Sequence, residues 1–92
     1  MSDTSGPSIT VLYFAAALTA TGIHSQTVAL PSSVFELSSL GNLLVSLHPN
    51  TDLEAILKNS QWSVDAEMVE DQNNVVLKGG EEVAVICPVS GG

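Results

Sequence analysis

Few residues in this 92-residue chain carry side chains that do chemistry, and their spacing narrows the options quickly. His24 and His48 stand apart from each other and from the single cysteine, Cys87. With no Cys-x-x-Cys or His-Glu-x-x-His spacing, a zinc or other metal site is not expected. A Cys–His nucleophilic pair is conceivable only between Cys87 and one histidine, whereas a lone cysteine in an apolar strand is more often a buried filler. His48, beside Pro49, reads as a cation at a helix C-terminus or as a surface side chain. The carboxylate pairs Glu70-Asp71 and Glu81-Glu82 fall at expected turns, where solvated carboxylates are the default. Gly79-Gly80 reads as a hairpin turn, because no strand–glycine loop–helix context for a phosphate site surrounds it.

What remains is the closing segment Cys87-Pro88-Val89-Ser90-Gly91-Gly92. At a glycine usage of about 7%, two closing glycines arise by chance in roughly one chain in two hundred. Here they follow an expected strand directly. Glycine has no side chain, so an extended Gly91-Gly92 enters a slot too narrow for any other residue. Ser90 to Gly92 reaches about 10 Å, at roughly 3.3–3.6 Å per residue. A carboxylate becomes an acceptor for sulfur or nitrogen nucleophiles once it is adenylated. The chain would contribute positioning and its partner the catalytic groups. The candidate site is therefore Gly92 as the acyl-bearing residue, with Pro88, Val89, Ser90 and Gly91 threading it into a partner. No residue is expected to bind a cofactor or a metal.

Composition sets the class of partner. Ten acidic residues face only Lys58 and Lys78, for a net charge of −8. Such a surface repels phosphate backbones and phosphorylated small molecules, so no nucleic-acid partner is expected. A protein with a basic face is favoured, since complementary potentials speed encounter. The longest apolar run, Val11 to Leu18, is too short to span a bilayer, and the polar N-terminus lacks the basic start of a secretory signal. One cysteine excludes an internal disulfide and fits a reducing compartment. No membrane association is expected, and the chain reads as cytoplasmic.

The elements that must position the tail can be read from periodicity. Residues 1–7 are expected to be a disordered lead-in. Ile9 to Phe14 is apolar on both faces and predicts a central strand. Gly22 and the surrounding threonines favour a loop over Ala15–Ser25, leading to a strand Gln26–Leu30 that Pro31 stops. Ser33 and Glu36 have capping-box spacing ahead of Val34, Leu37, Leu40, Leu44 and Leu47, one helical stripe that contains Gly41 and ends at Pro49. A short second helix is expected from Asp52 to Asn59. Trp62, Val64, Ala66 and Met68 alternate with polar residues, predicting one half-buried strand. A turn at Gln72–Asn74, a brief strand Val75–Leu77, a turn at Lys78–Glu81 and a last strand Val83–Val89 complete the order β-β-α-(α)-β-β-β. A last strand beside the first gives an α+β, β-grasp arrangement, a mixed sheet packed on one main helix, with a small β-barrel or a split βαβ fold as competitors.

From Ile9 onward the chain resembles the small, sulfur-carrier subunits of molybdopterin synthase, of the eukaryotic type, within the ubiquitin-like sulfur carriers. The resemblance is carried by Val11 to Ala15, by Gly22-Ile23 leading to Ser25-Gln26-Thr27, by His48-Pro49, and above all by Gly80 to Ile86 running into Pro88-Val89-Ser90-Gly91-Gly92. It implies a ubiquitin-like β-grasp domain over 8–89 with a flexible tail, 90–92, whose Gly92 is converted to a thiocarboxylate. An adenylyltransferase/sulfurtransferase is implied to use ATP to form the acyl-adenylate, and a persulfide to donate sulfur. The tail would then enter the large catalytic subunit, where cyclic pyranopterin monophosphate becomes molybdopterin. Two departures from the family pattern are Cys87, where a second proline is usual, and the loop Ala15–Ser25, which lacks basic residues apart from His24. Other readings are a ubiquitin-related modifier for tRNA thiolation or protein conjugation, whose end more usually reads His-Gly-Gly, and a non-catalytic ubiquitin-like interaction module.

Overall fold

In the computed structural model, which describes residues 6–87, a five-stranded mixed sheet carries three helices on one face. Strand β1, Ser8–Tyr13, pairs antiparallel with β2, Ser25–Ala29, and parallel with the last strand, β7, Glu82–Ile86. Strand β4, Gln61–Val64, runs antiparallel to β7 on its other side, and β5, Glu67–Val69, closes the edge, giving the order β2-β1-β7-β4-β5. A separate two-stranded sheet joins β3, Phe35–Glu36, to β6, Val76–Leu77. This is the expected β-grasp, with the first and last strands side by side.

Alternation divides β1 and β7 between two faces. Ile9, Val11 and Tyr13 of β1 and Val83 and Val85 of β7 point into the core. There they meet Leu37, Leu40 and Leu44 of α2, Leu37–Leu47, all three fully buried. The predicted stripe is therefore the core face of that helix. Its ends differ from expectation: Val34 and Leu47 are exposed at 64% and 45%. The Ser33–Glu36 capping box does not form, because Phe35 and Glu36 are extended and paired with β6, and Glu36 occupies the N-cap position without a side-chain bond. The Leu37 N–H donates to Val75 O at 2.9 Å, so strand pairing satisfies a helix-start donor that a cap would otherwise serve.

Three further segments depart from the sequence reading. Ala15–Thr21 is helix α1, not a loop. Alanine is the strongest helix former, and Gly22, at φ 76°, is the left-handed residue that stops the helix, its N–H donating to Leu18 O. The second expected helix is present as α3, Leu53–Lys58, but Thr51 Oγ1, not Asp52, accepts from its first backbone N–H. The expected single strand Trp62–Met68 is a hairpin, broken at Asp65 and Ala66, both with positive φ as a two-residue turn demands. That turn is tied to β7 by Asp65 N–H to Glu82 O and Glu82 N–H to Asp65 Oδ1.

The Lys78–Glu81 turn is braced from within. Gly79 and Gly80 have φ of 121° and 88°, and an added Cβ at Gly79 would lie 2.7 Å from Pro7 Cβ. The Glu81 carboxylate accepts from the backbone N–H groups of Lys78 and Gly79, so it is not the solvated turn carboxylate expected from sequence. Partial burial pushes its pKa up, but the backbone hydrogen bonds and the Lys78 charge outweigh that and leave it below the ordinary value. A depressed folded-state pKa contributes stability above the unfolded pKa, lost as pH falls through the folded one. Glu81→Gln is accordingly expected to lower stability at pH 7 and to be neutral well below pH 4, measured by urea unfolding; a pH-independent difference would contradict this bracing role.

Candidate functional site

The parallel β1–β7 pair decides where the tail leaves. Tyr13 and Val85 are partners at its far end, Ile86 closes β7, and Cys87 is the last described residue. Pro88, Val89, Ser90, Gly91 and Gly92 lie outside the described residues, so the structure defines the root of the candidate site and its surroundings.

At that root, the Cys87 thiol donates to Phe14 O at 3.3 Å, and the Ser60 hydroxyl lies 3.7 Å from Cys87 Sγ. The thiol packs, half-buried, against the core and has no imidazole partner, which disposes of the Cys–His pair. Both histidines are accounted for otherwise. His24 is exposed and its carbonyl accepts from Tyr13 N–H. His48, expected as a terminal cation or surface residue, is half-buried, with Nε2 2.9 Å from Gln26 Oε1. The same oxygen accepts from the Tyr13 hydroxyl at 2.8 Å, so the imidazole must carry its hydrogen on Nε2. The Tyr13 and His48 rings also meet edge to face, 5.8 Å between centroids. Burial pushes the Tyr13 hydroxyl up to about 12, which keeps it a donor. This triad joins β1, β2 and the end of α2 beneath the tail root. Among the described residues no group of His, Cys, Asp and Glu is arranged to hold a metal ion.

Among the described residues no helix packs on the other face of the sheet. Register places Leu12, Ala84, Ser63 and Met68 in one row across β1, β7, β4 and β5, with Ile86 one step nearer the tail. Leu12 and Ile86 are half-exposed, Met68 is 53% exposed, and Phe14, beside the tail root, is 48% exposed. Sequence reasoning missed Met68 by placing it on the core side with Trp62. The signal was available: Val69 directly after Met68 breaks the alternation, as a two-residue turn at Asp65-Ala66 requires. Ala84 and Ser63, between Leu12 and Met68 in that row, are buried. The apolar side chains that reach this surface are therefore Leu12, Ile86 and Phe14 near Cys87 and Met68 on the edge strand, in a chain of net charge −8.

Residues 11–92 match the ThiS family. The chain belongs to that family. A molybdopterin synthase sulfur carrier subunit from Mycosarcoma maydis is 44% identical over 88 residues, covering 94% of this chain and 95% of that protein. In fold, this ThiS-family chain is similar to SAMP1 from Haloferax volcanii, with a TM-score of 0.77 at 22% identity over 92% of this chain and 99% of the other. It is also similar to a chain in the protein–protein complex of subunits 1 and 2 of molybdopterin-converting factor from Helicobacter pylori, with a TM-score of 0.65 at 18% identity over 92% and 99%. At those identities the structural likeness establishes the ubiquitin-like fold.

The Tyr13 hydroxyl is worth about 1 kcal/mol of stability to this ThiS-family fold, the usual net value of a buried hydrogen bond. Tyr13→Phe should lower the unfolding free energy by that amount, read as a lower urea midpoint at an unchanged m-value. An unchanged midpoint would mean that the triad does not brace the tail root.

Proposed function

We propose that this chain is a sulfur carrier of molybdenum cofactor biosynthesis that holds sulfur as a thiocarboxylate on Gly92. The observation that carries the reading is the parallel β1–β7 pair. It sets the last described residue, Cys87, at a sheet end ahead of Pro88-Val89-Ser90-Gly91-Gly92, and among the described residues no metal-binding group is assembled. The 44% identity to a protein named as such a carrier supports the same assignment.

The chemistry divides between this chain and its partners. An activating enzyme uses ATP to adenylate the Gly92 carboxylate, releasing pyrophosphate. A persulfide sulfur then displaces AMP to give an acyl disulfide. A second thiol of the loading enzyme attacks its S–S bond, forming an enzyme disulfide and releasing the Gly92 thiocarboxylate. Pro88, Val89, Ser90 and Gly91 carry it into the large catalytic subunit of molybdopterin synthase. There the sulfur passes to cyclic pyranopterin monophosphate on the way to molybdopterin. The chain binds no cofactor itself in this scheme. Its acidic surface disfavours the anionic pterin, which the large subunit must hold, and favours a partner with a basic face. The open-face strip of Leu12, Met68, Ile86 and Phe14 is the surface that docks on that subunit. Its exposed side chains are apolar and Phe14 and Ile86 lie beside Cys87, as the core of an interface is depleted in charge.

Two outcomes follow. Deleting Gly92 should leave the urea midpoint unchanged and abolish molybdopterin formation in a reconstituted synthase, whereas Cys87→Ala should retain it, because sulfur rides on the terminus. Undiminished product from the Gly92 deletion would falsify the carrier role. On the open face, Met68→Lys should weaken binding to the large subunit roughly tenfold, about 1.4 kcal/mol. Val34→Lys, at a position still more exposed but away from that face, should not. Equal effects from the two, read by titration calorimetry, would place the interface elsewhere.

A further inference from the structure

The two edges of the five-stranded sheet are unlike. Strand β5 is short and sits among Asp65, Glu67, Glu70 and Asp71, the kind of charged protection that keeps an edge from pairing. Strand β2, Ser25–Ala29, is longer and contains no charged residue, no proline and no positive φ. Its neutrality extends well beyond the strand. Residues 4–35 hold no Asp, Glu, Lys or Arg, although the whole chain has a net charge of −8. The carboxylates of the sheet are gathered instead on the β4–β5 hairpin and at the start of β7.

The phase of the β1–β2 ladder fixes what this edge offers. Tyr13 N–H donates to His24 O and Leu30 N–H to Pro7 O, so the even-numbered residues of β2 turn their backbone groups towards β1. The N–H and C=O groups of Ser25, Thr27 and Ala29 therefore point outward, where β2 has no further strand. Their side chains are exposed on the open face. Val28 is buried on the helical side, and Gln26 is tied there to the Tyr13 hydroxyl. An incoming strand meets donors and acceptors at alternate residues, flanked only by small neutral side chains.

We propose that β2 pairs with β2 of a second copy of this chain, antiparallel about a two-fold axis at Thr27. In that register Thr27 faces Thr27 and Ser25 faces Ala29, each pair exchanging both backbone hydrogen bonds. Threonine opposite threonine is a favourable cross-strand pair, and no like charges face each other. Charge selects the occupant. A basic partner finds no carboxylate at this edge, whereas a second acidic copy, repelled elsewhere, meets no repulsion here. The nearest carboxylate along the sheet is Glu82 of β7, which is in line with Thr27 but beyond Thr10 of β1. Its two copies would be separated by five strand spacings, about 24 Å, well past the ~8 Å screening length at physiological salt. The contact closes at two copies, since it uses the same edge of each and leaves the acidic β5 strands outermost. Strand β1 separates the joined edge from β7, so the Cys87 end and the open face stay free, and the pairing is independent of sulfur transfer. As an edge-only contact, smaller than the roughly 1,200 Å² of stable complexes, it is weak and reversible.

NMR of the unaltered full chain at increasing concentration tests this. The Ser25, Thr27 and Ala29 amides should shift with concentration, and more so in added salt, which screens the repulsion between two acidic copies. In a mixture of labelled and unlabelled chain, an intermolecular Hα–Hα NOE should join Gln26 to Val28, the close, non-hydrogen-bonded pair of the proposed register. Thr27 is exposed and makes no backbone bond to β1, so Thr27→Lys should leave the chain folded. It should weaken self-association about tenfold by setting two ammonium groups opposite each other. Because this substitution reduces the net charge, an association governed by overall charge would strengthen instead. Glu67→Lys, on the other edge, should leave the pairing intact. Edge amides unmoved by concentration up to about 1 mM, self-association that survives Thr27→Lys, or edge shifts produced only by adding the large synthase subunit would each overturn the proposal.

Discussion

The parallel pairing of β1 with β7 is the constraint on which everything else in this molecule depends. A parallel pair cannot be closed by a tight turn, so the chain between its strands must travel around the sheet. In this short chain that route holds all three helices, both hairpin partners and the small second sheet. Because all of the route's helices pack on one face, the other face is left as pleated strands with half-exposed apolar side chains. Because β7 is the last strand and runs parallel to the first, the chain continues past the sheet at the end where Tyr13, Gln26 and His48 are locked together. Fold, open sheet face and the position of Cys87 are three consequences of one register.

The energetic roles are correspondingly divided. The buried side chains of β1, β7 and α2 stabilise by apolar burial, each large one by about 1.5–3 kcal/mol. The polar contacts are few but placed where the backbone turns. Glu81 holds the glycine turn before β7, Asp65 holds the hairpin turn against it, and at the opposite end the Cys87 thiol donates to Phe14 O. The last strand is thus fixed at both ends. A carrier whose reactive atom sits at the end of a chain needs a rigid root, since every shift of β7 moves the point from which the tail reaches.

Much of this was legible in the residues. The Leu37, Leu40 and Leu44 stripe and the Ile9–Phe14 run identify the core helix and a central strand, because burial imposes a period that composition alone cannot imitate. Gly91-Gly92 after a strand marks the candidate tail in the sequence, and those residues lie outside the described ones. What escaped was local. Gly22 reads equally as a loop residue or as a helix stop, and only the packing of Ala17 into the core decides between them. Asp65-Ala66 lacks the Asn-Gly signature of a tight hairpin, so the turn that sends Met68 to the open face was signalled only by Val69, which breaks the alternation after Met68. His48 gave no sign of Gln26, 22 residues away, because long-range hydrogen bonds leave no local pattern.

The central claim is that Gly92 bears the sulfur, and the intact mass of the chain isolated from cells with an active loading system tests it most directly. The account predicts a species heavier by the difference between one sulfur and one oxygen, with fragmentation placing the increment on Gly92 and Cys87 unmodified. A chain found only at its unmodified mass, or one whose added sulfur maps to Cys87, would contradict it.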